Sequence, residues 1–315
     1  MKFSLRHTIF SASVVAALAT LSSFTSATAI PTSVAKRDGS APRFVIYSDL
    51  SVSGGALPDA SAFKGYNVVN LAFLLSSGPA DQAAAWSSLS ESDRSSIKSS
   101  YNAAGIKLMV SAFGSTDTPT SSGTDPTQLA QTMATFVKNN GLDGIDIDYE
   151  DFNAISAGTA VNWLSTFTKA LRDNLPAGQY TISHAPVAPW FSPSLGAPYL
   201  EVDKQVGSLI DFYNVQFYNQ GSAYTTCSGL FDSSSEFPGS SVQEIAQAGV
   251  PLDKIVMGKP AEAADTSTGF VDTQTLAQCV SQGKGQGWNG GVMVWQYPHA
   301  DSSWIETVRG SAWPV

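Results

Sequence analysis

The chain has 315 residues, 43% hydrophobic and 14% charged, with 26 Gly and 16 Pro, which is a globular, turn-rich composition and excludes a disordered one. A formal net charge of -9 sets an acidic surface against phosphate backbones, so a nucleic-acid partner is excluded and neutral polymers remain open. The length admits one large domain or two small ones.

The N-terminus reads as a targeting segment. Lys2 and Arg6 supply a positive start, Ile9 to Leu21 is apolar with Ser and Thr interspersed, and Ala27-Thr28-Ala29 fits a small-residue cleavage site. Residues 1–29 are therefore expected to be a signal peptide and the product to be secreted and extracellular. Residues 30–37 end in Lys36-Arg37 and read as a pro-peptide or a disordered tail. The apolar run is too short and interrupted for a membrane span, and no later stretch reaches spanning length, so no membrane partner is expected. The two cysteines, Cys227 and Cys279, fit either one disulfide in an oxidising compartment or two buried thiols.

From residue 38 onward, apolar runs alternate with helical patterns. The runs are Phe44–Tyr47, Val68–Leu75, Lys107–Phe113, Gly144–Tyr149, Tyr180–Ala185, Ile210–Phe217, Lys254–Gly258 and Gly291–Trp295. Several are rich in Val, Ile and Phe, as strands buried on both faces should be. Between them, Ser90-Glu91-Ser92-Asp93 resembles a capping box ahead of Ile97, Tyr101 and Ala104, and Asp125-Pro126 reads as an N-cap followed by a first-turn proline. Leu129, Met133 and Phe136 follow at helical spacing, and Trp163, Phe167, Ala170 and Leu171 form another stripe. Ser241 to Glu244 is a second capping box, and Leu276 with Val280, then Trp304, Ile305 and Val308, mark late helices. Eight strand–helix units in one barrel's length predict an α/β fold, a single (β/α)8 TIM barrel over residues 38–315. An open doubly wound sheet is disfavoured, because no Gly-x-Gly-x-x-Gly follows an early strand.

The fourth run carries the chemistry. Side chains alternate faces along a strand, so Asp146, Asp148 and Glu150 share one face and Ile145, Ile147 and Tyr149 the other. The acidic face would point into the barrel and rise to the C-terminal mouth, where barrel active sites lie. Three acids on one buried face cannot all ionise cheaply, so a proton is retained, which suits a general acid working near neutral pH. Glu150 stands nearest the mouth. Asp143 has the opposite parity and reads as structural. The β-branched residues between the acids argue against a calcium loop, and His184 and His299 belong to no zinc or Ser/His/Asp pattern, so neither metal nor cofactor is expected. His184 reads as a hydrogen-bonded wall residue.

The pattern Asp-x-x-Asp-x-Asp-x-Glu, here Asp143 to Glu150, resembles the signature of glycoside hydrolase family 18. Asp211 to Asn219 resembles the sixth strand of its compact class III chitinases, and Trp295 resembles the tryptophan that floors their sugar site. The resemblance implies a retaining hydrolysis of β-1,4-linked N-acetylglucosamine in which the substrate's own acetamido oxygen is the nucleophile. It implies Glu150 as acid and then base, Asp148 as orienter of the acetamido group, Asp146 as holder or sharer of the Asp148 proton, and Tyr218 as donor to the acetamido oxygen. Gln216, Trp295, Asn219, Ser111 and Trp190 are the expected substrate contacts. The partner would be chitin or another N-acetylglucosamine-containing glycan, bound by a monomer. An endo-β-N-acetylglucosaminidase acting on the N-glycan chitobiose core and an inactive chitin- or glycan-binding protein are the alternatives. One departure stands out. Where the family often has Ser-x-Gly-Gly, this chain has Ser111-Ala112-Phe113-Gly114, and Phe113 is expected to reshape the local pocket.

Overall fold

Eight parallel strands close on themselves: β1 (Arg43–Ser48), β2 (Val68–Leu75), β3 (Lys107–Gly114), β4 (Gly144–Tyr149), β5 (Thr181–His184), β6 (Phe212–Gln216), β7 (Ile255–Pro260) and β8 (Gly291–Tyr297), with β1 pairing both β2 and β8. The computed structural model describes residues 40–50 and 57–315, so the leader at 1–29 and the segment 30–37 lie outside the described residues. Every apolar run expected to be a strand is one, and the (β/α)8 barrel stands. The fifth and sixth runs are shorter than their apolar stretches, because Tyr180, Ile210 and Phe217 pack at the barrel's ends without continuing the ladder. A two-residue strand, Gly78–Pro79, pairs antiparallel with the end of β2 and was too short to leave a period in the sequence.

The principal helices are α1 (Asp81–Ser88), α2 (Glu91–Ala103), α3 (Pro126–Asn139), α4 (Ala160–Asn174), α5 (Pro198–Val206), α6 (Val242–Gln247), α7 (Thr273–Gly285) and α8 (Ser302–Arg309). Their starts follow the local chemistry. Asp125 accepts from Gln128 N at 2.8 Å ahead of Pro126, and Ser241 with Glu244 forms the full reciprocal capping box. At Ser90 only half of the box forms. Its hydroxyl accepts from Asp93 N at 3.1 Å, but Asp93 is one methylene shorter than Glu and takes the Ser90 hydroxyl instead. Ala104 caps α2 and is exposed rather than part of its buried stripe.

Side-chain alternation sorts the core into two layers. Outward residues such as Ile145, Ile147 and Val215 join the helix faces in one large cluster. Inward residues Val45, Tyr47, Val68, Met109, Phe212, Val256 and Met293 fill the barrel, with Tyr218 and Trp295 above them. Gly258 serves this packing, since a Cβ there would run into Met293 Cε. Two acids fasten strand starts below. Asp143 accepts Leu108 N at 2.8 Å and pairs with Lys98 at 2.6 Å, while Asp211 accepts Ile182 N at 2.7 Å and pairs with Arg172 at 2.8 Å. Asp143 is structural, as its parity implied.

Cys227 and Cys279 are joined in a disulfide that ties the short helix Cys227–Phe231 to α7 across a sequence separation of 52 residues. A loop of that length restricts the unfolded chain by about 4 kcal/mol. The double variant Cys227→Ser/Cys279→Ser is expected to lose about that much unfolding free energy in denaturant titrations, with catalysis unchanged under native conditions.

Candidate active site

Asp146 lies fully buried on the barrel axis and accepts four hydrogen bonds from four other strands. Tyr47 Oη (2.6 Å) and Ser111 Oγ (2.9 Å) donate to Oδ2; Ser183 Oγ (2.6 Å) and Asn214 Nδ2 (3.0 Å) donate to Oδ1. The register explains the convergence, because Ser111, Asp146 and Ser183 are direct neighbours across β3, β4 and β5. All four acceptor positions of the carboxylate are thereby filled. Asp148, one step nearer the mouth, has a single side-chain donor, Gln216 Nε2 at 2.8 Å. The same nitrogen donates to Ala185 O at 2.9 Å and reaches Glu150 Oε1 at 3.5 Å.

These surroundings order the three acids. Burial pushes Asp148 well above the usual carboxylate range, and the charges of Glu150 and Asp146 push the same way. Burial also raises Glu150, against the Gln216 hydrogen bond. Burial raises Asp146 as well, but its four donors all oppose that rise. All three carboxyls are raised on balance, Asp148 furthest, and Asp146 is the one whose donors most oppose the rise. Tyr47 and Tyr218, raised by burial first and then by the acids beside them, remain neutral phenols able to donate.

Two cavities meet at Glu150. One, of about 260 Å³, is lined by Asp148, Tyr218, Gln216 and Trp295, together with Phe73 and Asp265. The Trp295 ring lies 5.8 Å from Phe73 in a stacked arrangement and 5.8 Å from Tyr47. The other cavity, of about 510 Å³, is mostly apolar, with Trp190, Phe152, Leu195 and Phe237 in its wall. Glu150, Gln216 and Asn219 border both. Trp190 is held by a stacked contact with Tyr199 at 5.9 Å and an edge contact with Phe152 at 5.1 Å.

Not every expected contact reaches this space. Ser111 lines neither cavity; its hydroxyl is spent on Asp146. Asn219 borders both cavities, but its Oδ1 accepts from Thr266 Oγ1, Ser267 N and Ser267 Oγ at 2.7–2.9 Å, so it fixes a loop as well. Phe113 turns outward and packs against Tyr149, Trp163 and Phe167, with centroids 5.4–6.3 Å apart. Its φ of 79° is the left-handed conformation that glycine adopts freely. The departure therefore keeps the backbone path and spares the pocket, with aromatic packing offsetting the strain. His184 is hydrogen-bonded, as expected, but it lines neither cavity. It lies between Thr168 (3.2 Å) and Tyr199 (3.3 Å), and burial pushes it down to about 3, so it stays neutral.

Sequence reasoning missed Tyr47, Ser183 and Asn214. Asn214 was within reach, since it shares strand parity with Gln216 and Tyr218. It also missed Lys259, fully buried on β7, which donates to Phe217 O (2.7 Å), Tyr224 O (2.9 Å) and Gly269 O (2.7 Å). Burial brings its ammonium down to about 7. Lys259 clamps the segment that carries Tyr218, and Gly269 packs so closely there that a Cβ would stand 2.9 Å from Tyr218 Cα.

A closed barrel with an acid stack rising to two sugar-sized cavities defines a carbohydrate hydrolase of the TIM-barrel class. Residues 43–305 match the family model for glycosyl hydrolases family 18, and the chain belongs to that family. It is a chitinase-like glycoside hydrolase. It is 27% identical over 300 residues to an acidic endochitinase from Nicotiana tabacum, covering 83% of this chain and 90% of that protein. A solved GH18 chitinase from Pseudoalteromonas aurantia superposes with a TM-score of 0.71 at 30% identity, covering 85% of this chain and 99% of the other. The barrel is shared more widely. A xylanase and alpha-amylase inhibitor protein from Scadoxus multiflorus has a TM-score of 0.56 at 17% identity, covering 88% and 100% of the two chains, so the fold alone does not specify the activity.

The Asp146 donors give a direct test. Tyr47→Phe removes a 2.6 Å donor from that carboxylate, so the Asp146 pKa rises. Asp146 then takes up a proton at higher pH, and the acidic limb of the pH–kcat/KM profile is expected to move to higher pH while the alkaline limb stays.

Proposed function

We propose that this protein is a secreted, endo-acting chitinase that hydrolyses β-1,4-linked N-acetylglucosamine with retention, using the substrate's acetamido group as nucleophile. The observation that carries the reading is Glu150 standing on the border of two cavities. A polymer crossing that border has sugar units on both sides of the acid, which supports cleavage within a chain. The cavity with Asp148, Tyr218 and Trp295 takes the unit whose bond is cut, and the apolar cavity with Trp190 takes the departing side.

The choice of nucleophile rests on the family to which the chain belongs, and the placing of the acids supports it. A two-carboxylate mechanism needs the second group across the scissile bond from the first. Here one Gln216 nitrogen contacts both Asp148 and Glu150, so the two lie side by side. Asp148 therefore stands beside the acid rather than across the bond from it, which supports an attacking oxygen supplied by the substrate. Glu150 donates the shared proton to the leaving oxygen. Asp148, ionised as that proton departs, orients the acetamido N–H and offsets the positive charge of the oxazolinium ion. Tyr218 donates to the acetamido oxygen and Trp295 stacks on the sugar. Glu150 then takes a proton from water. Asp146 fixes Asp148 from below by field and packing.

The endochitinase and GH18 chitinase relatives support chitin as substrate. The leader at 1–29, the dibasic Lys36-Arg37 and the disulfide support secretion into an oxidising compartment. Among the described residues no helix is long and apolar enough to cross a membrane.

Glu150→Gln is expected to lower kcat on chitin oligomers by about 10²–10⁴-fold; a variant hydrolysing at near the parent rate contradicts the assigned acid. Assayed side by side, chitin oligomers should be cut and a high-mannose glycoprotein left intact. Release of glycan without oligomer cleavage would instead identify an endo-β-N-acetylglucosaminidase, and binding of both without cleavage an inactive lectin. Burial raises the Asp148–Glu150 pair, so its proton persists at acidic to mildly acidic pH and is lost as pH rises through the elevated pKa. Activity should peak on the acidic side and fall towards alkaline pH; a maximum in clearly alkaline buffer contradicts this.

A further inference from the structure

Lys259 is a buried cation with which, among the described residues, no acid pairs. It follows Gly258 on β7, whose missing Cβ makes room for the inward Met293, so Lys259 points the other way, behind the wall of the barrel. Its three donors go to Phe217 O, Tyr224 O and Gly269 O. Those carbonyls come from three parts of the rim: the residue before Tyr218, the turn beyond it, and the loop between β7 and α7. The backbone around Tyr218 is tied on both sides as well, with Phe217 N donating to Gly258 O at 3.1 Å and Asn219 N to Thr268 O at 2.9 Å. Tyr218 itself faces the cavity that holds Asp148 and Glu150.

Three carbonyls match an ammonium and do not match an amine. The ammonium has three N–H donors; the neutral amine has two, and its lone pair repels the third oxygen. The contacts to Phe217 O and Tyr224 O are buried, whereas that to Gly269 O is half-buried, so water can replace Lys259 only at Gly269. Gly269 is also the residue packed on the Tyr218 backbone. Burial brings Lys259 down to about 7, and the surrounding segments do not offset it. Burial keeps Tyr218 and Tyr224 as neutral phenols; Asp265 acts on the first, and Glu236 and Glu244 on the second. On α7, Asp272 caps Gln274 N and Thr275 N, and Lys284 donates to Ala312 O. Tyr297, at the end of β8, packs on Phe63.

We propose that Lys259 is a positioning residue that holds Tyr218 in its working place only while it carries a proton: as an ammonium it closes a three-carbonyl latch, and as an amine it releases Gly269 and with it the backing of Tyr218. The inference rests on the proposed function, in which Tyr218 fixes the acetamido oxygen for attack. Opening the latch is distinct from unfolding. A lysine whose pKa is lower in the folded chain than in the unfolded one adds stability as pH rises from about 7, because the unfolded chain then binds the extra proton.

The test uses chitobiose linked to dinitrophenol, whose leaving group needs no proton from Glu150. Asp148 and Glu150 both gain as base and counter-charge when pH rises, so a loss of kcat on this substrate reports another group. The wild-type kcat should fall about three- to tenfold from about pH 6 to about pH 8, the worth of one hydrogen bond to a charged donor. The Lys259 Cε carbon-13 resonance, assigned with Lys259→Arg, should titrate with that fall, and the thermal midpoint should not drop with it. Lys259→Met should lower kcat about tenfold at about pH 6, change KM less than about twofold, and remove the step near neutral pH. Lys259→Arg keeps the charge and should restore most of kcat and hold it through about pH 8. The wild-type comparison of resonance and kcat decides the matter even where Lys259→Met fails to fold. A Lys259 resonance that titrates while kcat stays level overturns the latch, as does a thermal midpoint that falls in step with kcat. A wild type that cuts neither the aryl glycoside nor chitin oligomers contradicts the proposed function and the latch with it; one that cuts both with a level kcat contradicts the latch alone.

Discussion

One fully buried carboxyl group, held by four strands, organises the site. Asp146 receives hydrogen bonds from Tyr47 on β1, Ser111 on β3, Ser183 on β5 and Asn214 on β6. Four strands that are distant in sequence can meet at one side chain only when the sheet has closed, so the charge is stabilised by the fold as a whole. The cost of burying that group is set against four donors, which favour its ionised form while burial opposes it. Its negative field then acts on Asp148 directly above, which has one donor and a second acid as neighbour. Burial and the two flanking acids thus raise Asp148 furthest, next to the cavities.

The mouth is built to keep that stack aimed. Gln216 bridges Asp148, Glu150 and the Ala185 carbonyl with a single amide nitrogen. Lys259 binds three backbone carbonyls around the segment that carries Tyr218. Asn219 gathers Thr266 and Ser267. These contacts fix side chains that border the sugar-sized spaces, so the proposed reaction would begin with its donors already placed rather than recruited on binding.

The strands and the acid face were legible because both depend on local periodicity. Val68–Leu75 is a near-continuous apolar run, and along Gly144–Tyr149 and into Glu150 the two-residue repeat alone placed Asp146, Asp148 and Glu150 together and set Asp143 apart. What was not legible depends on how strands align with one another. Ser111 looked like a ligand contact until the register set it opposite Asp146. Tyr47 and Ser183 lie in runs that carry no unusual pattern. Phe113 looked like a change to the pocket, but its direction was set by a φ of 79° that composition does not reveal. Asp265 and His299, 34 residues apart, meet through the geometry of two loops.

The central claim is where the proton sits. Carbon-13 NMR of the carboxyl groups, with Asp146, Asp148 and Glu150 assigned through single Asp→Asn and Glu→Gln variants, measures it directly across an acidic-to-alkaline titration. The account predicts that Asp148 and Glu150 titrate together, above the usual carboxylate range, while Asp146 titrates at lower pH. An Asp146 resonance that moves with Asp148 while Glu150 titrates independently would contradict it.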